Sequence, residues 1–203
     1  MAERYDLPAP EWAFRAFAFL MLGFLIAPAL IVVPVSFSSG SIIAFPFPGY
    51  STRWYSEVIT APVWRTGVAN SLLIGCAAAA LSTVIGTLGA LGIRRLDRRL
   101  KLAVLVLVLF PLMVPIVITA LGGYLAMVKV GLNNTYWAAI LLHAMLGLPF
   151  VVVSVLSALE GFDENLWRAA SSLGARPAAA FRRVMLPIIL PGVVTGAVFA
   201  FAV

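Results

Sequence analysis

The chain alternates long uncharged apolar runs with short segments that carry nearly all of its charge. The first run is Ala16 to Val35, the second Val68 to Ile93, the third Leu102 to about Met127, and the fourth Tyr136 to Leu159. A fifth begins near Met185 and is still apolar at Val203. Each run is close to the roughly 20 residues a helix needs to cross a hydrocarbon core. The pattern predicts five transmembrane helices. No cap, charge or polar tail closes the fifth, so the chain reads as part of a longer protein.

Composition agrees with that division. Hydrophobic residues make up 63% of the chain and charged residues 11%, against the roughly 25% charged of a soluble domain. Eight acids and fourteen bases are too few to clothe a soluble fold of 203 residues, so lipid is the solvent for most of the surface. The net charge of +6 does not signal nucleic acid, because the bases fall in clusters between apolar runs. With the N-terminus inside, eleven bases are cytoplasmic: Arg4, Arg15, Arg94, Arg95, Arg98, Arg99, Lys101, Arg168, Arg176, Arg182 and Arg183. Arg53, Arg65 and Lys129 face the other side. That asymmetry predicts a multi-pass inner-membrane protein with a cytoplasmic N-terminus. Cys76 is the single cysteine, so there is no disulfide framework. The first run is too long for a signal peptide. The expected organisation is a cytoplasmic segment 1–15, a first span with its periplasmic loop over 16–66, and a core over 67–203 that ends inside the fifth helix.

Two loops carry information. In the outer loop, Pro46, Pro48 and Gly49 forbid a regular element, while Trp54, Tyr55 and Trp64 suit the headgroup layer. Thr52 to Thr60 reads as a short helix on the outer face, with Arg53 and Glu57 four residues apart. It serves either as a docking surface or as an interfacial anchor. The second is the cytoplasmic loop 160–183, EGFDENLWRAASSLGARPAAAFRR. Asp163 is a natural N-cap with Glu164 in the first turn. Leu166, Ala169, Ala170 and Leu173 recur at offsets of a single helix face. Gly174 suits a positive-φ corner and Pro177 the first position of the next helix. The residues alone leave two uses for this helix: seating in a partner, or folding beneath its own bundle.

The run RAASSLG, nine further residues and VMLP resembles the signature of binding-protein-dependent ABC-importer permeases. That signature reads Glu-Ala-Ala, three residues, Gly, nine residues, Ile, any residue, Leu-Pro. Ala169, Ala170, Gly174, Leu186 and Pro187 match it, whereas Arg168 stands in place of the family Glu and Val184 in place of Ile. SFSSG, FPGYSTRWY, the NSL of Asn70 to Leu72, IGTLGAL, LPFVVVSV and LEGFD are similar to the spermidine/putrescine-permease subgroup. The resemblance implies an all-α bundle of the type I ABC-importer permease kind, with six spans when complete. It also implies a cytoplasmic coupling helix. Glu160, Gly161, Leu166, Arg168, Ala169, Ala170, Leu173, Gly174, Leu186 and Pro187 are then the ATPase-coupling residues. The implied partners are a second permease subunit, a cytoplasmic ATP-binding-cassette ATPase dimer and a periplasmic solute-binding protein. ATP and magnesium belong to the ATPase, and this chain is expected to bind no cofactor. Neither Lys101 nor Lys129 lies in a Gly-Lys-Ser/Thr phosphate loop, in keeping with energy supplied by another subunit.

Polar side chains at membrane depth are expensive and default to functional candidates. Asn70, Ser71, Thr119 and His143 are candidate pathway-lining residues; Ser154 and Thr195 share that depth. For the hydroxyls the competing role is a bond back to their own helix, and for His143 a structural bond between helices. Pro111, Pro115 and Pro149 are expected to kink or unwind the third and fourth spans. Gly192 and Gly196 form a GxxxG in the fifth. A secondary transporter or channel fragment shares the hydropathy but explains neither the loop signature nor the lack of intramembrane acids. For an intramembrane enzyme, one histidine, one cysteine and no HExxH leave few catalytic constellations, and no activated serine is marked beside His143. The expected activity is import of a small organic solute, polyamine-like by subgroup, from periplasm to cytoplasm.

Overall fold

The computed structural model describes residues 11–42, 46 and 48–203. Arg4 of the N-terminal segment and Phe45 and Phe47 of the first loop lie outside the described residues. In chain order the helices are α1 (Glu11–Ser36), α2 (Arg53–Thr60), α3 (Pro62–Ile93), α4 (Arg98–Met113), α5 (Ile116–Lys129), α6 (Tyr136–Glu160), α7 (Glu164–Ser172), α8 (Pro177–Ala180) and, after a π turn over Phe181–Met185, α9 (Leu186–Ala202). Among the described residues the only extended pairing is an isolated bridge between Ser38 and Tyr50. The chain divides into two compact units, one ending at Gly67 and the other spanning Val68–Val203.

In the first unit α1 has no buried residue along its length, as suits a helix solvated by acyl chains. The short helix expected at Thr52 to Thr60 is α2. It is pinned to the C-terminal end of α1 by side chains rather than by a cap. The Trp54 indole N–H donates to the Ser38 carbonyl at 3.0 Å, the Ser36 and Tyr55 hydroxyls share a hydrogen bond at 2.6 Å, and the Phe37 and Tyr55 rings lie 5.2 Å apart.

The second unit is built on three helices that approach closely through small residues. A Cβ added at Gly86 of α3 would lie 2.7 Å from a Val151 methyl of α6, and one at Gly147 of α6 would lie 2.8 Å from Ala200 Cβ of α9. Gly192 and Gly196 of α9 sit equally tight against Ser154, Ala158 and Val151. Lipid tails are as apolar as the side chains they replace, so burial alone does not drive these helices together; close packing does. Val151, Val152, Val155 and Ile189 are fully enclosed at the centre.

One expectation changes. The third apolar run is not one straight span, because α4 and α5 meet at a bend of 102°. Val114 adopts an extended conformation, φ −87° and ψ 133°, the region to which a following proline drives its neighbour. Pro115 also has no N–H to continue the ladder. Pro111 and Pro149, by contrast, lie inside α4 and α6 without interrupting them. Among the described residues four helices are long and apolar enough to cross a membrane, or up to five if the bent pair is one span. The helix expected to open at Pro177 runs into the last span: it is continuous from Pro177 to Ala202, with a π turn over Phe181–Met185 that holds Arg182 and Arg183.

Candidate functional site

The loop between α6 and α9 is fixed at both ends by local chemistry. The Asp163 carboxylate accepts from the Asn165 amide at 2.8 Å, capping α7. At the other end Gly174 has φ +82°. Its N–H donates to the Ser171 carbonyl at 3.0 Å, while the Ala175 N–H donates to the Ala170 carbonyl at 3.1 Å. This pair of bonds is the Schellman arrangement, which requires a left-handed residue at the corner and so favours glycine there. Pro177 then opens α8, as expected.

The stripe expected on α7 divides. Leu166 is 43% exposed and Leu173 88% exposed, and Arg168 and Ala169 are exposed beside them, whereas Ala170 is half-buried. The inward face is set by Trp167, which packs on the core formed by Phe162, Val155 and Met185. Sequence reasoning missed Trp167; its offset of three from Ala170 and seven from Gly174 was the available signal. Of the other coupling candidates, Glu160 and Gly161 are exposed at the end of α6. Leu186 and Pro187 are not on the exposed face of α7. They start α9, where Leu186 packs against the core and Pro187 is exposed.

One long-range contact ties this loop down. Arg94, immediately after α3, donates from Nη2 to Glu164 Oε1 in the first turn of α7, and its guanidinium lies 5.5 Å from the centre of the Phe162 ring. Beside the pair is a cleft of about 350 Å³ lined by Leu91, Arg94, Arg95, Glu164, Trp167 and Phe181 among others. This end of the second unit gathers Arg94, Arg95, Arg98 and Arg99 with the arginines of the loop.

The candidate pathway residues fall in different places. At the opposite end, Asn70 Oδ1 accepts from the Tyr136 hydroxyl at 2.9 Å, joining the N-terminal third of α3 to the start of α6. Ser71 is exposed. Thr119 and His143 are brought together in a cavity of about 360 Å³ between α5 and α6, and Thr119 Oγ1 donates weakly to the Pro115 carbonyl at 3.4 Å. Ser82 was not singled out from sequence. It is 1% exposed and its Oγ donates to Ala78 O at 2.7 Å and Ala144 O at 3.0 Å, bridging α3 to α6. Among the described residues no group of three or more His, Cys, Asp or Glu could hold a metal ion.

Apolar spans packed through glycines, with a capped helix presented by an interhelical loop at an arginine-rich end, describe a multi-pass helical membrane protein. Residues 82–203 match the family of binding-protein-dependent transport system inner membrane components, and the chain belongs to that family. It is 31% identical over 189 residues to the spermidine/putrescine transport system permease protein PotC of Haemophilus influenzae, covering 93% of this chain and 73% of the relative. It is 33% identical over 192 residues to the putrescine transport system permease protein PotI of Escherichia coli K12, covering 90% and 68%. The molybdenum transport system permease protein ModB of Mycobacterium bovis is 32% identical over 176 residues, covering 79% and 67%. Membership implies work alongside a second permease, an ATPase and a binding protein.

Proposed function

We propose that the chain is a permease subunit of an ATP-driven importer that admits a polyamine-like solute from the periplasm, with its N-terminus in the cytoplasm. The outward side of α7, with Leu166, Ala169 and Leu173 along one face and Arg168 on the flank beyond it, seats in a groove of the ATPase. The observation that carries this reading is that face itself: apolar side chains exposed on a short helix whose ends are fixed by the Asp163 cap and the Gly174 corner. An apolar face surrounded by arginines suits neither lipid nor open water, and its rigid ends let it move as a unit with whatever grips it. ATP and magnesium are held by the ATPase, not by this chain. Asn70, Ser71, Thr119 and His143 are proposed to line the solute route. The polyamine assignment rests on the names of the relatives at 31% and 33% identity. The molybdenum relative makes molybdate the comparison solute.

Gly174→Leu tests the coupling role. A Cβ at Gly174 meets nothing within 4 Å, so the cost set by the backbone is the strain of the left-handed corner, about 1–2 kcal/mol. Membrane insertion should stay at the wild-type level while labelled putrescine uptake falls and ATP hydrolysis persists. Undiminished uptake by the variant refutes the coupling role. Molybdate uptake without putrescine uptake by the wild type refutes the solute.

A further inference from the structure

We infer that Arg94 is a positioning residue for coupling: its ion pair with Glu164 is the tie that carries movement of α7 into α3. The inference rests on the docking role proposed for α7 and adds the route by which α7 acts on the rest of the bundle. Arg94 and Glu164 are separated by 70 residues in sequence, and the contact joins the end of one spanning helix to the first turn of the loop helix. Glu164 stands at the N-terminus of α7, where the helix dipole already favours a carboxylate. Arg94 is held from two sides, by that carboxylate and by the face of Phe162, and Phe162 is itself buried in the core. Its side chain is 23% exposed, against 55% for Glu164. The guanidinium therefore belongs to the bundle and the carboxylate to the moving element.

The surroundings make the pair matter. The cleft of about 350 Å³ beside it leaves the wedge between the end of α3 and α7 unfilled, so the two elements do not meet there through continuous packing. Trp167 anchors α7 toward α6 and the π turn, but the polar contact with the end of α3 is the Arg94–Glu164 pair. Close packing transmits a push in any direction. An ion pair across an open cleft holds α7 to α3 when α7 is pulled away as well as when it is pressed in.

The test uses the assembled transporter, with the chain co-expressed alongside the ATPase and second permease of its own system. Retained ATPase is measured by copurification, and coupling by the rise in ATP hydrolysis when the system's binding protein is added, a readout that needs no knowledge of the solute. R94Q and E164Q should keep the ATPase and basal hydrolysis but lower the stimulation about five- to tenfold, within the range of couplings between distant sites. R94Q/E164Q should be no worse than the poorer single variant, because both remove one interaction. R94K, which restores the charge, should recover most of the stimulation. Wild-type stimulation in both single variants, additive losses in the double variant, or no recovery by R94K overturns the inference alone. Absence of the ATPase from the wild-type complex overturns the docking role and this inference with it.

Discussion

Gly196→Ala isolates the packing that holds α9 to α6. A methyl group at Gly196 would sit 2.8 Å from the Val151 Cα and 3.4 Å from the Ser154 Cβ. The first of these is backbone in the middle of α6, with no rotamer to change, so the helices must separate locally. Overpacking of this kind costs about 1–3 kcal/mol, while alanine gains about 1 kcal/mol over glycine in helix propensity. Gly89→Ala in α3 supplies the control, since nothing lies within 4 Å of a Cβ there and only the propensity gain applies. The two variants should therefore differ by the overpacking cost alone. At roughly 2–4 °C per kcal/mol for a chain of this size, Gly196→Ala should melt about 5 °C below Gly89→Ala. The assay is thermal unfolding in detergent, followed by circular dichroism and by the monodisperse fraction on size exclusion. If the two variants melt together, α9 is not seated on α6 as described.

Ser82→Ala removes the hydroxyl that bridges α3 to the Ala144 carbonyl; the loss should be about 1 kcal/mol or less, since interhelical bonds in membranes average roughly 0.6, read in the same melting experiment. Asp163→Ala should cost about 1 kcal/mol locally, seen as faster amide exchange at Asn165 and Leu166 with the exchange of α6 unchanged. A thiol at Ser172, introduced with Cys76→Ala, should be labelled by a membrane-impermeant reagent only after the cytoplasmic side is opened; labelling from intact cells refutes the proposed orientation.

What could be read in advance from the sequence follows the range of each interaction. The cap at Asp163, the corner at Gly174 and the restart at Pro177 are decided within a few residues, and each lies where the sequence predicted it. Pro111, Pro115 and Pro149 look alike in sequence, yet only Pro115 breaks its run. Val114 leaves the helix for an extended conformation, whereas Pro149 is buried within α6, which continues through it. The inward turn of Trp167 is legible only through its offsets of three from Ala170 and seven from Gly174. The pairing of Arg94 with Glu164 depends on where α3 ends relative to α6, which no local pattern encodes, and membrane orientation alone accounts for a basic cluster there. GxxxG at Gly192 and Gly196 is common enough to say little alone; the facing Ser154, Ala158 and Val151 give it its meaning.

On the proposed reading, α7 is held to α6 by the short link 161–163 and by Trp167, and two further connections, which differ in kind, carry its movement outward. Past Gly174 the chain enters a helix that is continuous from Pro177 to Ala202, and Gly192, Gly196 and Ala200 bind that helix to α6 by direct packing. Displacement of α7 along this route reaches α6 and α9 together, because neither can slide without opening the glycine contacts. The π turn at Phe181–Met185 is the place on this route where the regular bonding pattern changes, so rotation concentrates there. The other connection, through Arg94, reaches α3 without passing the π turn. α3 in turn meets α6 at Gly86 and through the Ser82 bridge. Two routes of unequal stiffness acting on helices that also touch each other resolve one displacement into a relative tilt of α3 against the α6–α9 pair.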